Sequence, residues 1–153
     1  MSKNFLYNDS FIPSNAVACI LTLNRKYIVQ LRDDKPGIFF PAFWSLFGGQ
    51  IETNEKPENA LKREIYEELN LKINNNLKYF TSLNYDYSFY GMGHFYRKYY
   101  TYEIDKQTYS KLQLNEGQSF DKFDAISLLT KKKFVPYDSF VIWMHYKNNQ
   151  MKK

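Results

Sequence analysis

The chain has little of what marks secreted or membrane-spanning proteins. Its 153 residues include one cysteine, Cys19, so no disulfide can form within the chain, and we expect this thiol to be buried. The longest uninterrupted apolar run, Ala16 to Leu21, is too short to cross a membrane. Residues 1 to 15 are polar and carry Asp9, which argues against a signal peptide. We therefore expect a cytoplasmic protein with no membrane partner.

The chain also lacks internal repeats, linkers and low-complexity segments, so its length predicts one domain over residues 1–153. Neither sign of charge dominates: the chain has 21 Lys and Arg residues and 16 Asp and Glu residues, for a net charge of +5. This excess suits an anionic substrate but does not by itself indicate a stable nucleic-acid partner.

The stretch from Gly48 to Leu71 carries the clearest functional signal. Its second half predicts a helix from Pro57 to about Leu69, because proline suits the first helical turn and apolar residues recur at helical spacing. Asn70 follows, where a left-handed residue commonly ends a helix. Gly48 and Gly49 precede it and permit unusual backbone angles and close approaches. The predicted unit is a strand, a glycine turn, a loop and an acidic helix.

Three carboxylates fall on one face of this predicted helix. Glu64, Glu67 and Glu68 are spaced i, i+3 and i+4, within roughly 100° of one another. Like charges at this spacing cost about 0.2–0.5 kcal/mol per pair, and the C-terminal half of a helix dipole disfavours them further. A bound cation would compensate, and an all-carboxylate set suits Mg²⁺ or Mn²⁺. A merely solvated acidic face is the alternative.

The same stretch resembles the signature of the Nudix hydrolases, G-x5-E-x7-R-E-U-x-E-E-x-G-U, where U is a bulky aliphatic residue. Its places are filled here by Gly49, Glu55, Arg63, Glu64, Ile65, Glu67, Glu68 and Leu71, with Asn70 in place of the last glycine. The resemblance is specific over residues 48 to 71 and looser from 16 to 47. It implies an α/β protein of the Nudix type, an αβα sandwich with a mixed β-sheet.

The resemblance also implies a chemistry and a set of roles. Nudix enzymes hydrolyse a nucleoside diphosphate linked to a further group, with the help of Mg²⁺ or Mn²⁺. Carried over by position, the metal ligands would be the Gly48 carbonyl and the carboxylates of Glu64, Glu67 and Glu68. Glu64 could instead orient the attacking water. The structural residues of the motif would be Gly49, Glu55 and Arg63, with Glu55 and Arg63 pairing to hold the loop on the helix.

A later loop often brings one more acidic residue to the metal site of these enzymes. Glu116, in the run Asn115-Glu116-Gly117, is the candidate for that catalytic role, and a solvated glutamate is the equal alternative.

Three further residues are candidates for contact with the substrate. Arg32 could meet a phosphate, although a surface ion pair with a neighbouring aspartate explains it equally well. Trp44 could stack on a base or pack in the core. Tyr87 alternates with Tyr85 on one strand face, which is either a platform for a base or an ordinary amphipathic sheet surface.

The rest of the chain supplies four strands and two more helices. The predicted strands are Ala16 to Leu23, Tyr27 to Leu31, Leu77 to Tyr87 and Phe95 to Ile104. Residues 105 to 124 are predicted to be a polar connection, followed by a short helix from Asp124 to Thr130. The last helix, Pro136 to Tyr146, is predicted to turn Phe140, Trp143 and Met144 towards the core.

The expected partner is a nucleotide, and a nucleoside triphosphate is the first expectation. Nucleotide sugars and dinucleoside polyphosphates are alternatives, and a non-catalytic nucleotide-binding module is a third. An ADP-ribose type is disfavoured, because that group usually carries a proline within the span between Pro57 and Pro136, where this chain has none. The sequence leaves a monomer and a homodimer equally open.

Overall fold

The computed structural model describes residues 12–152, so Asp9 and the rest of residues 1–11 lie outside the described part of the chain. The predicted first hairpin is confirmed: β1 spans Ala16–Leu23 and β2 spans Lys26–Leu31. Both residues of its turn have left-handed backbones, with φ of 48° at Asn24 and 65° at Arg25. Paired left-handed residues match the twist of a two-residue hairpin.

The remaining strands complete a mixed sheet, and four α-helices within residues 12–152 are connected to it. These strands and α-helices are β3 (Trp44–Ser45), α1 (Pro57–Leu69), β4 (Lys78–Asp86), β5 (His94–Glu103), α2 (Lys106–Tyr109), β6 (Ser119–Phe123), α3 (Ala125–Lys131) and α4 (Pro136–Met151). The strand order is β3-β2-β1-β5-β4, and β6 also pairs with β2. Only β1 and β5 run parallel among the described strand pairs. None of the helices within residues 12–152 has the length and apolar character needed to cross a membrane.

The alternating side chains of β1 fill two separate cores, one on each face of the sheet. Val17, Cys19 and Leu21 face a core shared with α1. Ala18 and Ile20 face a second core, shared with α3 and α4. Helices therefore cover both faces, and the predicted αβα sandwich is confirmed. The expected burial of Cys19 is confirmed too, and burial raises the pKa of its thiol.

Helix α1 has the predicted bounds. Leu61, Ile65 and Leu69 form its fully buried stripe. Asn70 has a φ of 53°, and its N–H donates to the Tyr66 carbonyl at 2.8 Å, which ends the helix as the sequence predicts. Helical spacing is a local property, so it is legible in the sequence without knowledge of the fold.

The prediction that residues 105 to 124 are a polar connection is wrong. The segment contains α2 and β6, and β6 pairs with β2 from Tyr27 to Leu31. The cause is non-local, because β6 pairs with the edge of β2 opposite β1 and β3 and satisfies backbone groups that lie far earlier in the chain. The predicted short helix after this segment is confirmed as α3, which begins after Asp124; the Asp124 carboxylate accepts the Ser127 N–H at 2.9 Å.

The predicted inward face of the last helix is also wrong. Phe140 and Trp143 are 51% and 47% exposed, and their rings stack on each other with centroids 6.1 Å apart. Of the three predicted residues only Met144 packs on the core. The buried residues of α4 are Asp138, Val141 and Ile142. A buried aspartate sets the rotation of this helix, and its partners lie far away in the sequence.

The half-buried His145 on α4 leads to a prediction about pH. Its Nδ1 lies 2.9 Å from the Tyr27 hydroxyl, and its ring centroid lies 5.2 Å from that of Phe80. Burial lowers the pKa of His145, with a smaller contribution from the charge of Lys152. A lowered folded-state pKa stabilises the fold above the unfolded pKa of about 6.5, and this stabilisation is lost as the pH falls through the folded value.

We therefore expect the free energy of unfolding to fall as the pH is lowered below about 6.5, and part of this fall to disappear in His145→Gln. Urea unfolding at a series of pH values measures it. The matched control is His94→Gln, because the His94 side chain is 77% exposed. Equal pH slopes for the parent and His145→Gln would contradict the prediction.

Candidate active site

The glycine turn lies against β1. The Val17 N–H donates to the Gly49 carbonyl, and the Cys19 N–H donates to the Phe47 carbonyl, both at 2.9 Å. Gly48 has a φ of +132°, and a side chain there would overlap the Val17 carbonyl. A Cβ at Gly49 would lie 2.5 Å from a Glu64 carboxylate oxygen. Glycine at both positions therefore allows the turn to fit between β1 and α1.

Glu68 is the buried carboxylate of the site, with 5% of its surface exposed. It accepts a hydrogen bond from the Gln30 Nε2 at 2.9 Å and one from the Gly48 N–H at 2.8 Å. Burial raises the pKa of Glu68 to about 8, even though both hydrogen bonds favour the ionised form. Both donors are neutral, so the charge of this carboxylate has no partner cation among the described residues.

Arg63 binds two further carboxylates of the helix and one of the preceding loop. Its Nε and Nη2 donate to the two oxygens of Glu55 at 3.0 and 2.9 Å, and Nη2 also donates to the Gln50 carbonyl. Its Nη1 donates to Glu64 at 2.7 Å and to Glu67 at 3.2 Å. Arg63 therefore fastens the loop to the helix through Glu55 and places a positive charge between Glu64 and Glu67.

The donor set can be compared with the needs of a hard divalent cation. Across residues 12–152, no three acidic, histidine or cysteine side chains are gathered as metal ligands. The Nη1 of Arg63 lies between Glu64 and Glu67 and partly neutralises them. The uncompensated Glu68 and the all-oxygen donors nevertheless have the chemistry that Mg²⁺ or Mn²⁺ requires. The residues fit such a cation, provided that Glu67 moves away from Arg63.

Glu116 lies within electrostatic reach of this site. Its charge contributes to raising the pKa of Glu64 and of Glu68, after the larger effect of burial. It also helps raise the pKa of Lys35, where Asp33 is the main cause. Glu116 is exposed and follows Asn115, whose backbone is hydrogen-bonded to α1. The structure therefore places it beside the acidic helix face.

A second polar group lies on the opposite side of the sheet, around a fully buried Asp138. The Asp138 carboxylate accepts the Leu46 N–H at 3.0 Å and the Tyr99 hydroxyl at 3.1 Å, and the Arg97 Nε lies 3.5 Å away. The Arg97 guanidinium lies against the rings of Tyr99 and Tyr137, 5.6 and 5.4 Å from their centroids. Its Nε is buried and has no hydrogen-bond partner among residues 12–152.

We call Arg32, Tyr85, Tyr87, Arg97 and Tyr137 the guanidinium pocket. The charge of Arg32 acts on Tyr137 and Asp138, and Tyr87 acts on Tyr137 as well. The Nε of Arg32 is buried without a hydrogen-bond partner, as is the Tyr85 hydroxyl. Burial raises the pKa of Tyr85 to about 12, which keeps this phenol neutral and able to donate. The Tyr85 and Tyr87 rings stack, with centroids 6.0 Å apart.

Two of the three predicted substrate contacts, Arg32 and Tyr87, are thus brought together, whereas Trp44 lies elsewhere. Its ring packs edge-on against Phe123 at 5.0 Å, and the Lys132 amine lies 5.5 Å from its centroid. This position matches the core-packing alternative for Trp44. Stacking of Trp44 on a base stays a prediction from the sequence.

Sequence reasoning missed three residues that hold the site together: Gln30, Arg97 and Asp138. For Gln30, the available signal was a polar amide next to the apolar residues of the strand KYIVQL. Asp138 lies in the first turn of a helix, where acidic residues are common because they interact favourably with the helix dipole. Its presence there therefore does not indicate burial. Arg97 resembles any basic residue on a strand.

The comparisons with known proteins agree with this fold. The MutT protein of Methanosarcina mazei Go1 superposes with a TM-score of 0.72 at 12% identity, over 89% of this chain and 94% of that one. The Escherichia coli ORF135 protein gives 0.66 at 21% identity, over 87% and 89%. The NUDIX domain of Shewanella oneidensis NrtR, solved with ADP ribose, gives 0.68 at 16% identity, over 94% of each chain. These likenesses establish the fold.

The family follows from a sequence match. No curated protein sequence matches the chain significantly. The family model of the NUDIX domain matches residues 13–149. This range is most of the chain and includes both the acidic helix and the guanidinium pocket. The chain therefore belongs to the NUDIX domain family and is a Nudix pyrophosphohydrolase.

Proposed function

We propose that this protein uses a divalent cation, Mg²⁺ or Mn²⁺, to hydrolyse a pyrophosphate bond in a nucleoside diphosphate linked to another group. A nucleoside triphosphate is the proposed substrate. Nucleotide sugars and dinucleoside polyphosphates are the alternatives within the same reaction. The observation that carries the proposal is the buried Glu68 carboxylate, because it is held at the glycine turn beside two further carboxylates with no cation of its own.

The acidic helix would hold the cation. The proposed ligands are the Gly48 carbonyl and the carboxylates of Glu64, Glu67 and Glu68, with Glu116 as a further group from its loop. When bound, the cation neutralises charge on phosphate oxygens and acidifies water. Phosphoryl transfer needs mainly positioning and electrostatic stabilisation, so a nucleophilic side chain is not required. Glu64, whose carboxylate lies against Gly49 of the glycine turn, would either be one of these ligands or orient the attacking water.

The guanidinium pocket would hold the rest of the substrate. Asp138 lies 3.5 Å from the Nε of Arg97 and would hold the guanidinium in place for the substrate. Arg32 and the Tyr85 hydroxyl add polar hydrogens without protein partners, and buried donors of this kind stabilise a ligand that supplies acceptors. Tyr87 would stack against a planar group. Acceptors and a flat ring together describe a nucleobase.

One experiment tests the reaction and the substrate class together. Nucleoside triphosphates, nucleotide sugars, dinucleoside polyphosphates and ADP-ribose are incubated with the protein and Mg²⁺, and the products are identified by mass. We expect a nucleoside monophosphate as one product, and we expect excess chelator to abolish turnover. The ADP-ribose arm tests the ligand seen in the Shewanella oneidensis domain.

The same reaction in heavy-oxygen water locates the bond that breaks. Attack at phosphorus should place the label on a phosphate product. Label found only on a released sugar hydroxyl, or full turnover in excess chelator, would refute the proposed function. Turnover of ADP-ribose with no turnover of triphosphates would retain the metal-dependent reaction and replace the substrate.

A further inference from the structure

The C-terminal end of α1 is capped by a loop from more than forty residues away. The last carbonyls of a helix have no intrahelical partner. Here the Gln113 N–H donates to the Leu69 carbonyl at 3.2 Å, and the Asn115 N–H donates to the Glu68 carbonyl at 2.9 Å. The Asn115 side chain adds a third bond, from Nδ2 to the Glu67 carbonyl at 2.8 Å. Asn115 thus binds the backbone of two residues whose carboxylates form the acidic site.

The other end of this loop is fastened to β2. The Gln118 N–H donates to the Leu31 carbonyl at 2.9 Å, and its Nε2 donates to the Arg32 carbonyl at 2.7 Å. Gly117, with a φ of +87°, approaches so closely that a Cβ would lie 2.9 Å from the Leu31 carbonyl. The strand end and the loop therefore leave no room for a side chain at this position.

Glu116 lies between these two attachments. Asn115 is bonded to the helix and Gln118 is bonded to the strand, so the loop that carries Glu116 is fastened on both sides. Its side chain is exposed, and its charge reaches Glu64 and Glu68.

We propose that Asn115 is the positioning residue that places Glu116 beside Glu64 and Glu68 for metal binding. This inference rests on the proposed function. An asparagine suits the role, because its short amide donates to a helix carbonyl without bringing another charge to an already acidic site. The Asn115 amide acts through Glu116 and touches neither the cation nor the substrate.

The test combines Asn115→Leu and Glu116→Gln in a double-mutant cycle. Leucine has the shape of asparagine without its donors, and Asn115→Ala is the second variant in case leucine disturbs the loop. Gln113→Met is the matched control, because Gln113 is an exposed amide of the same loop with one long contact of 3.4 Å, to Asn70. The readouts are the dissociation constant for Mn²⁺ measured by electron paramagnetic resonance, the metal-free melting temperature, and kcat against KM.

We expect Asn115→Leu to raise the Mn²⁺ dissociation constant about tenfold, as loss of an outer partner of a metal ligand commonly does. The same substitution in the Glu116→Gln background should change it by less than about twofold, because the group through which Asn115 acts is already neutral. Gln113→Met should leave it within about twofold of the parent. In the Asn115 variants kcat should fall more than KM rises.

An unchanged dissociation constant in Asn115→Leu and Asn115→Ala would overturn the positioning role. An equal effect in both backgrounds would overturn it as well, since Asn115 would then act on the fold and not through Glu116. A parent protein that binds no Mn²⁺ would refute the proposed function itself, so the two failures are distinguishable.

Discussion

Glu68→Gln should lower kcat by about 10³-fold and leave the metal-free protein at least as stable as the parent. The loss of activity follows because the substitution removes a charged metal ligand. The stability follows because the glutamine can still accept the Gly48 N–H, and the Gln30 amide can turn to present its oxygen. The parent instead buries a carboxylate whose pKa is raised to about 8.

The sign of the pH dependence distinguishes this explanation from others. A raised folded-state pKa contributes stability that is complete below the unfolded value of 4.5 and is lost as the pH rises towards about 8. Metal-free melting temperatures should therefore favour Glu68→Gln increasingly over this range, and Mg²⁺ should raise the melting temperature of the parent more than that of the variant. A variant that melts well below the parent, yet gains as much from Mg²⁺, would make Glu68 a structural residue.

The second large effect concerns stability. Asp138→Ala should reduce the free energy of unfolding by about 3–5 kcal/mol, the usual cost of removing one partner from a buried ion pair. The substitution leaves the Leu46 N–H and the Tyr99 hydroxyl without their acceptor, and it leaves the Arg97 guanidinium uncompensated. Urea unfolding of the parent and the variant measures the difference.

Asp121→Ala is the matched control, because Asp121 is an exposed aspartate of β6 and its removal should change the free energy of unfolding by less than about 0.5 kcal/mol. Replacing the whole group, with Arg97→Met beside Asp138→Leu, should restore part of the loss, since apolar residues of similar size often replace a buried pair without cost. A loss below about 1 kcal/mol in Asp138→Ala would mean that water satisfies the remaining groups.

The acidic helix was predictable because its determinants lie within it. Pro57 begins it, Asn70 ends it, and the spacing of its carboxylates and apolar residues is a property of a short segment. The first hairpin was predictable for the same reason. Such features need no knowledge of the tertiary structure.

What could not be predicted depends on partners that are distant in the sequence. The rotation of α4 follows from a bond between Asp138 and the Leu46 N–H, ninety-two positions apart, and a hydrophobicity pattern favoured the aromatic face that is in fact exposed. Strand β6 exists because β2 has an open edge. The same reasoning explains why the support of the site by Gln30 escaped detection, since a single buried amide produces no periodicity.

Two buried carboxylates bind alternate amides of one short segment from opposite layers of the sandwich. Asp138 accepts from Leu46, and Glu68 accepts from Gly48. Two residues of chain span at most about 7 Å, so covalent geometry limits the distance between these two amides. In the proposed reaction, this length sets the distance between the guanidinium pocket, which recognises a group of the substrate, and the acidic helix, where the bond is cut. One residue inserted into this segment would detach a carboxylate from its amide, so the length of the segment cannot vary. Substrates of other lengths would therefore have to be accommodated by the surrounding loops.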